Sequence, residues 1–325
     1  MGRVSIRDVA KVAGVSISTV SRVLNGTAPV SDELKKKVME TVEFLDYKPS
    51  VLAKGLRKGV TRTIGFIIPD ITNPFFSLMV RGAEDYLKRK DYCLIIGSSD
   101  QSEIQEKRLL TAFSERVDGI IFTGTGKQNE VLDNIIKKGK KVVFLDRVIK
   151  GFNTSYVVSD NYGGMKALVE YLVSKGYKSF FFINGQKETL SAQNRYKAFV
   201  DTLKAHGIEN YEHVFSSFTY ESGYKYAKAL SKLPDVVVCG NDLIAYGVIS
   251  ALKEMGLSIP SDVAVTGYDD ILFSEHYKPS LTTVRQPIYD MGRKAAEMII
   301  KMINDKTSQP NGVILPNEIV IRESA

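Results

Sequence analysis

Val4-Ser5-Ile6-Arg7-Asp8-Val9-Ala10-Lys11-Val12-Ala13-Gly14-Val15-Ser16-Ile17-Ser18-Thr19-Val20-Ser21-Arg22-Val23-Leu24 carries two short helical patterns joined at a glycine. Ile6, Val9, Ala10 and Ala13 fall on one face, Gly14 supplies a sharp turn, and Val20, Val23 and Leu24 form a second apolar face. The reading is a helix-turn-helix. Its second helix presents Ser16, Ser18, Thr19, Ser21 and Arg22, short hydroxyls and one cation that fit a major groove and can donate to base edges and phosphates. An ordinary helical hairpin with a solvated polar face would share this pattern, but this segment lies near a chain end and further DNA-compatible features follow it.

A third helix is predicted from Ser31 to about Leu45. Ser31 is its N-cap, Asp32 and Glu33 stand in the first turn, and Leu34, Val38, Val42 and Leu45 form its buried stripe. Next comes Tyr47-Lys48-Pro49-Ser50-Val51-Leu52-Ala53-Lys54-Gly55-Leu56-Arg57-Lys58-Gly59. Proline can start a helix here, yet the stretch is short and contains Gly55, so it requires a partner to fold. Residues 1–60 hold 11 Lys/Arg against 6 Asp/Glu, a net +5 of the whole chain's +7. A basic small module beside a nearly neutral large one suits a protein that grips phosphate at one end.

The motifs Ile6-Arg7-Asp8-Val9-Ala10, Gly14-Val15-Ser16, Thr19-Val20-Ser21-Arg22-Val23-Leu24-Asn25-Gly26 and Tyr47-Lys48-Pro49 leading to Ala53-Lys54-Gly55-Leu56 resemble the LacI/GalR family of bacterial repressors. The resemblance runs from end to end. It implies a DNA-contacting set of Ser16, Ile17, Ser18, Thr19, Ser21, Arg22, Asn25, Ala53 and Leu56. Within it Ile17, Ser18 and Arg22 read bases, and Leu56 wedges into the minor groove. An apolar wedge unstacks a base step at a cost of about a few kcal/mol, offset by wider contact. Two such hinge helices would complete each other in one groove, coupling hinge folding, dimerisation and DNA binding. Ser50 stands where many relatives carry asparagine.

The chain has 325 residues, 44% of them hydrophobic, enough for a small head and a two-lobed body. No signal peptide is read at the start, and no apolar run approaches the roughly 18 residues needed to span a bilayer, so a cytoplasmic protein is expected. Cys93 and Cys239 lie in apolar strand-like runs and are expected to be reduced, buried thiols. Three scattered histidines without a Cys/His cluster argue against a metal site, and no cofactor is expected.

From Thr63 onward, apolar runs (64–68, 93–97, 119–122, 142–145, 180–183, 236–239 and 263–266) alternate with helical stretches such as 76–89, 162–175, 193–206 and 243–255. Apolar strands spaced by helices imply parallel sheets covered on both faces. The expected fold class is α/β: an N-terminal all-α helix-turn-helix head, plus two doubly wound lobes of the type found in periplasmic binding proteins. The expected limits are 1–46 for the head and 47–60 for the hinge and linker. An effector-binding and dimerisation domain over 61–325 follows, with a first lobe at 61–159 and 288–320 and a second at 160–287. The chain crosses between lobes at Tyr156-Val157-Val158-Ser159-Asp160-Asn161 and returns at Thr283 to Pro287.

Ligands in such folds sit outside the carboxyl ends of strands, here between the lobes. The residues at those ends are Asn73, Phe75, Phe76, Asp146, Arg147, Arg195, Asn241, Asp269 and Gln286. Aromatic faces stack on a sugar's C–H face, while carboxylates, amides and guanidinium groups bracket its hydroxyls. By resemblance to the periplasmic ribose-binding type, these nine positions hold the sugar, with a departure near Gly124 where that relative offers an amide. Each member has a structural alternative, such as core packing for Phe75 and Phe76, an ion pair for Asp146-Arg147 and a helix cap for Asn241. Their recurrence at successive strand ends favours a site.

Enzyme readings fail. Asp269-Asp270 are adjacent carboxylates that usually point apart, and Gly124-Thr125-Gly126-Lys127 lacks the full phosphate-loop spacing. A transport-type binding protein would need export and would have no use for the head. Two alternatives remain within the family. One is a catabolite-control regulator answering to a phosphorylated carrier protein, suggested by Tyr289-Asp290-Met291-Gly292 but opposed by Glu297, which stands where such relatives carry arginine. The other is a purine-type, corepressor-dependent repressor. The expected function is a repressor, a homodimer or higher oligomer on palindromic double-stranded operator DNA, controlled by a small sugar, most simply a pentose such as ribose.

Overall fold

The computed structural model describes residues 4–26, 28–47, 60–149, 151–305 and 307–325, and the chain divides into two compact units, Met1–Thr61 and Arg62–Ala325. In the first unit, α1 (Ile6–Ala13), α2 (Ile17–Asn25) and α3 (Asp32–Phe44) enclose Val9, Ala10, Ala13, Val20 and Val38. Gly14 ends α1 at φ +64°, a left-handed conformation that L side chains resist, and its neighbour Val15 donates back to the Ala10 carbonyl at 3.0 Å. Ser31 caps α3, its hydroxyl accepting from the Leu34 amide at 3.4 Å. Leu34, expected in the buried stripe, is instead 38% exposed, because the small core closes on Val38 and leaves the first turn of α3 in solvent.

The second unit holds two parallel sheets. The first runs in the order β11 (Gly312–Leu315), β5 (Ser155–Ser159), β4 (Lys141–Leu145), β3 (Gly119–Phe122), β1 (Thr63–Ile68) and β2 (Cys93–Ser98). Its helices are α4 (Pro74–Lys88), α5 (Glu103–Arg116), α6 (Glu130–Lys137) and α11 (Ile288–Asn304). The second sheet is β7 (Tyr211–Phe215), β6 (Phe180–Asn184), β8 (Val236–Cys239) and β9 (Ala264–Thr266). With it go α7 (Asn161–Ser174), α8 (Leu190–Ala205), α9 (Tyr220–Lys228) and α10 (Asp242–Glu254). Runs such as β3 and β8 are buried at every position, as a sheet covered on both faces requires. Gly82 on α4 and Gly292 on α11 let these two helices touch backbone to backbone, since a Cβ at either would lie 2.0 or 1.8 Å from the facing carbonyl oxygen.

Three passages join the lobes. The chain leaves β5 for α7 at Ser159–Asn161 and returns from β10 (Thr283–Arg285) to α11 through Gln286 and Pro287. It crosses once more between β11 and β12 (Glu318–Val320), which pairs antiparallel with β10. This third passage was not read from the sequence, because β11 and β12 are short and half exposed. The passages are stitched together: Ser159 donates to Gln286 Oε1, and Asn317 donates to the Asp160 carbonyl at 3.0 Å and to the Tyr268 hydroxyl at 2.8 Å.

Cys239 is buried as expected, but Cys93 is exposed. An apolar run predicts a covered strand, yet β2 lies at the sheet's edge, where Ile95 and Ile96 also remain more than 40% exposed.

Candidate functional site: the recognition helix and the interlobe cleft

On α2, Ile17, Ser18, Ser21, Arg22 and Asn25 fall within an arc of about 140° at 3.6 residues per turn, opposite Val20, Val23 and Leu24. Ile17, Ser18, Arg22 and Asn25 are exposed, while Thr19 and Ser21 are half-buried. Ser16 and Asn25 also have local duties. The Ser16 hydroxyl caps the helix by accepting from the Thr19 amide at 3.1 Å, and the Asn25 amide donates to the Ser21 carbonyl at 2.7 Å. Ala53 and Leu56 lie outside the described residues.

In the second unit, eight of the nine expected residues line one pocket of about 410 Å³: Asn73, Phe75, Phe76, Asp146, Arg147, Arg195, Asn241 and Asp269. The ninth, Gln286, stands behind it, donating to Asp269 at 2.6 Å. Helix starts and strand ends set these positions. Asn73 caps α4, accepting from the Phe75 amide at 3.0 Å, and Asn241 caps α10, accepting from the Ile244 amide at 2.9 Å. The cap and site readings of these asparagines therefore coexist. Phe75 and Phe76 meet edge to face at 5.1 Å, both 4% exposed.

The charges are buried and partnered. Arg147 lies 3.8 Å from Asp146 and donates to the Gly124 carbonyl at 3.1 Å, while its Nε has no hydrogen-bond partner. Arg195 donates to Asn161 at 2.7 Å and to the Gly240 carbonyl, lies 4.0 Å from Asp269 and covers the Tyr268 ring at 3.7 Å. Burial pushes the Asp146 and Asp269 carboxyls upward in pKa, while the Arg147 and Arg195 charges, respectively the nearest, draw them back. Asp146 and Asp269 sit at φ +63° and +123°, and such strain persists where surrounding structure over-determines it, as at ligand sites. Asp270 points away, to Arg285 at 2.7 Å and Arg322 at 2.8 Å, so the adjacent carboxylates do not act as a pair.

A side chain at Gly124 would meet the Phe122 ring at 2.5 Å, which excludes the relative's amide there. The buried Glu106 instead braces this loop, accepting from the Thr125 amide at 2.7 Å and from Asn129 at 2.8 Å. Sequence reading missed Phe218, Ser191, Asp70 and Gln101, which also line the pocket. Phe218 follows the mixed strand β7 and gives no periodic signal; its ring lies against Gly185, where a Cβ would come within 2.0 Å. Among the described residues no cluster of His, Cys, Asp or Glu could hold a metal ion, and no helix is long and apolar enough to cross a membrane.

Residues 5–50 match the family model for bacterial regulatory proteins of the lacI family, and residues 169–325 match that for the periplasmic binding protein-like domain. The chain is 37% identical to the HTH-type transcriptional regulator RegA of Clostridium saccharobutylicum over 98% of both chains. It is 34% identical to catabolite control protein A of Priestia megaterium over 99% of both. It is also 34% identical to the ribose operon repressor of Halalkalibacterium halodurans, over 98% of this chain and 96% of that one. The lac repressor dimer bound to operator and an anti-inducer superposes with a TM-score of 0.86 over 99% of both chains at 24% identity, a likeness of fold. A LacI-family regulator from Enterococcus faecium with bound ribose superposes at 0.74 with 28% identity, over 81% of this chain and 98% of that one.

Head, body and relatives together define a DNA-binding transcription regulator with a sugar-binding type of body, and not an enzyme. The chain belongs to the LacI family of bacterial regulatory proteins.

Proposed function

We propose that the protein is a sequence-specific repressor, a homodimer or higher oligomer on a palindromic operator, whose DNA affinity is set by a small sugar held between the lobes. A pentose such as ribose is the simplest candidate. The observation that carries the reading is the pocket itself, where Phe75, Phe76 and Phe218 stand beside Asp146, Arg147, Arg195, Asn241 and Asp269. That is a stacking surface plus in-plane hydroxyl partners drawn from both lobes. Relatives named as a ribose operon repressor and as a regulator with bound ribose support it. A ligand touching both lobes biases their relative orientation, with a coupling on the order of 1–3 kcal/mol. In the head, Ile17, Ser18 and Arg22 read bases, with Ser16, Thr19, Ser21 and Asn25 supporting the helix and its phosphate contacts. Leu56 and Ala53 complete the DNA-contacting set.

The catabolite-control reading is disfavoured at α11. Glu297 lies 3.1 Å from Lys294 and 4.0 Å from Arg293, occupying the cations a phosphoserine would need.

Calorimetric titration with a panel of pentoses and hexoses, paired with operator gel shifts with and without the bound sugar, tests the proposal. Asp269→Asn should weaken sugar binding by about a hundredfold, since a buried polar partner is lost, and should leave operator binding without sugar intact. Undiminished sugar affinity in this variant would place the ligand elsewhere.

A further inference from the structure

The pocket opens on two sides. Past Asp70 and Gln101 it widens into a space of about 1060 Å³ lined by Asp100, Glu103 and Glu188, with no aromatic side chain in its lining. The cation there, Lys127, is tied to Glu103 at 2.6 Å. On the other side, Asp146 and Ser191 line both the effector pocket and a second pocket of about 590 Å³, walled by Tyr156, Val158, Ile314 and Asn194.

We propose that this second pocket is a subsite for the second ring of an uncharged, two-part effector, either a disaccharide or an aryl glycoside. The inference rests on the reading of the cleft as a sugar site. Its chemistry is that of a sugar subsite: one aromatic ring, aliphatic neighbours, and neutral polar groups awaiting partners. Ser191 is 4% exposed, yet its hydroxyl has no hydrogen-bond partner among the described residues, and neither has the amide of Asn194 nor the hydroxyl of Tyr156. Ser191 and Asn194 stand three residues apart on α8 and so share a face. The Tyr156 ring is held against Gly312, where a Cβ would lie 2.2 Å from it, so the wall is in place before a ligand arrives. Asp146 is the sole charged residue in the lining, and it belongs to the effector pocket already. The acidic opening opposite repels anions and offers no ring to stack on. Ser159 and Asn161 of the first crossing also line the subsite, so a second ring there would bear on the joint between the lobes.

The test is calorimetry on the full-length protein with D-ribose, D-xylose, D-glucose and D-galactose, each alone and as its p-nitrophenyl glycoside. For the sugar that binds, the glycoside should bind about tenfold tighter, the scale of one added aromatic stacking contact. Ile314→Trp fills the subsite from a position 62% exposed on an edge strand, and Asn194→Ala removes its amide. Each should abolish the glycoside's advantage and leave the free sugar's affinity within about twofold, well below the effect of losing a pocket contact. Equal binding of free sugar and glycoside by the unaltered protein, or an advantage that survives both substitutions, overturns the subsite. Binding of none of these compounds would overturn the cleft reading itself.

Discussion

On α2 the groups offered to DNA, Ile17, Ser18, Arg22 and Asn25, stand exposed. In the cleft, Asp146, Arg147, Arg195 and Asp269 are 3–7% exposed, and each already has a charged or hydrogen-bonded partner. The difference follows from the two ligands. A duplex is a large polyanion that brings its own shape, so the head needs only a convex helix face held at a fixed angle. A sugar is small and strongly hydrated, so its site must exclude water and present preset partners, and those partners must be mutually neutralised while the site waits. Substitutions in the head should therefore change one contact at a time, whereas those in the cleft change binding and folding together.

Arg22→Ala is the sharpest way to break this contrast. It should flatten preference at one position of each half-site by about 1–3 kcal/mol, as loss of a bidentate arginine–guanine contact does, and leave sugar binding unchanged. Selection from a randomised operator library reads it, and an equal loss over all sequences would make Arg22 a phosphate contact.

A smaller effect is expected at Gly14. Gly14→Ala places a Cβ at φ +64°, costing about 1–2 kcal/mol, and should speed amide exchange in α1 and α2 by about tenfold. Amides of the second unit should keep their rates, because the two units have separate cores. Faster exchange there as well would show that the units unfold together.

The smallest effect concerns pH. Burial raises the Asp242 carboxyl from 3.8 to about 6, against the hydrogen bonds it accepts from Ser274 and Thr283 at 2.6 Å and from the Ile271 amide at 2.9 Å. A group whose folded pKa lies above its unfolded value holds more protons folded, so its contribution to stability falls as pH rises from about 4 to about 6. The stability advantage of the unaltered protein over Asp242→Asn should shrink between pH 5 and pH 7 in urea titrations. A constant or growing advantage would show that the three donors keep Asp242 ionised in the fold.

Much of the fold was legible because its signals are local. The runs 119–122 and 236–239 coincide with β3 and β8, and Gly14, Ser16 and Ser31 marked the turn and caps of the head. What escaped was either short or decided by position in a sheet. β7, with His213 inside a half-exposed run, carries no clean alternation, and Cys93 looked buried because an apolar run does not say whether its strand is central or at an edge. The cleft residues could be named because strand ends collect ligands in this architecture, but Phe218 and Ser191 could not, since nothing local marks them.

By itself, then, the sequence determined the elements, their order and the parallel, doubly wound plan, since apolar period, caps and glycines act within a few residues. Tertiary structure alone decided which polar groups meet: Arg195 on Asp269 and Asn161, Asp270 turned away to Arg285 and Arg322, and the third passage that brings Asn317 to Tyr268. These partners lie tens to hundreds of positions apart, and burial makes each depend on all the others, because an unpaired charge in a closed cleft is far more costly than one in water.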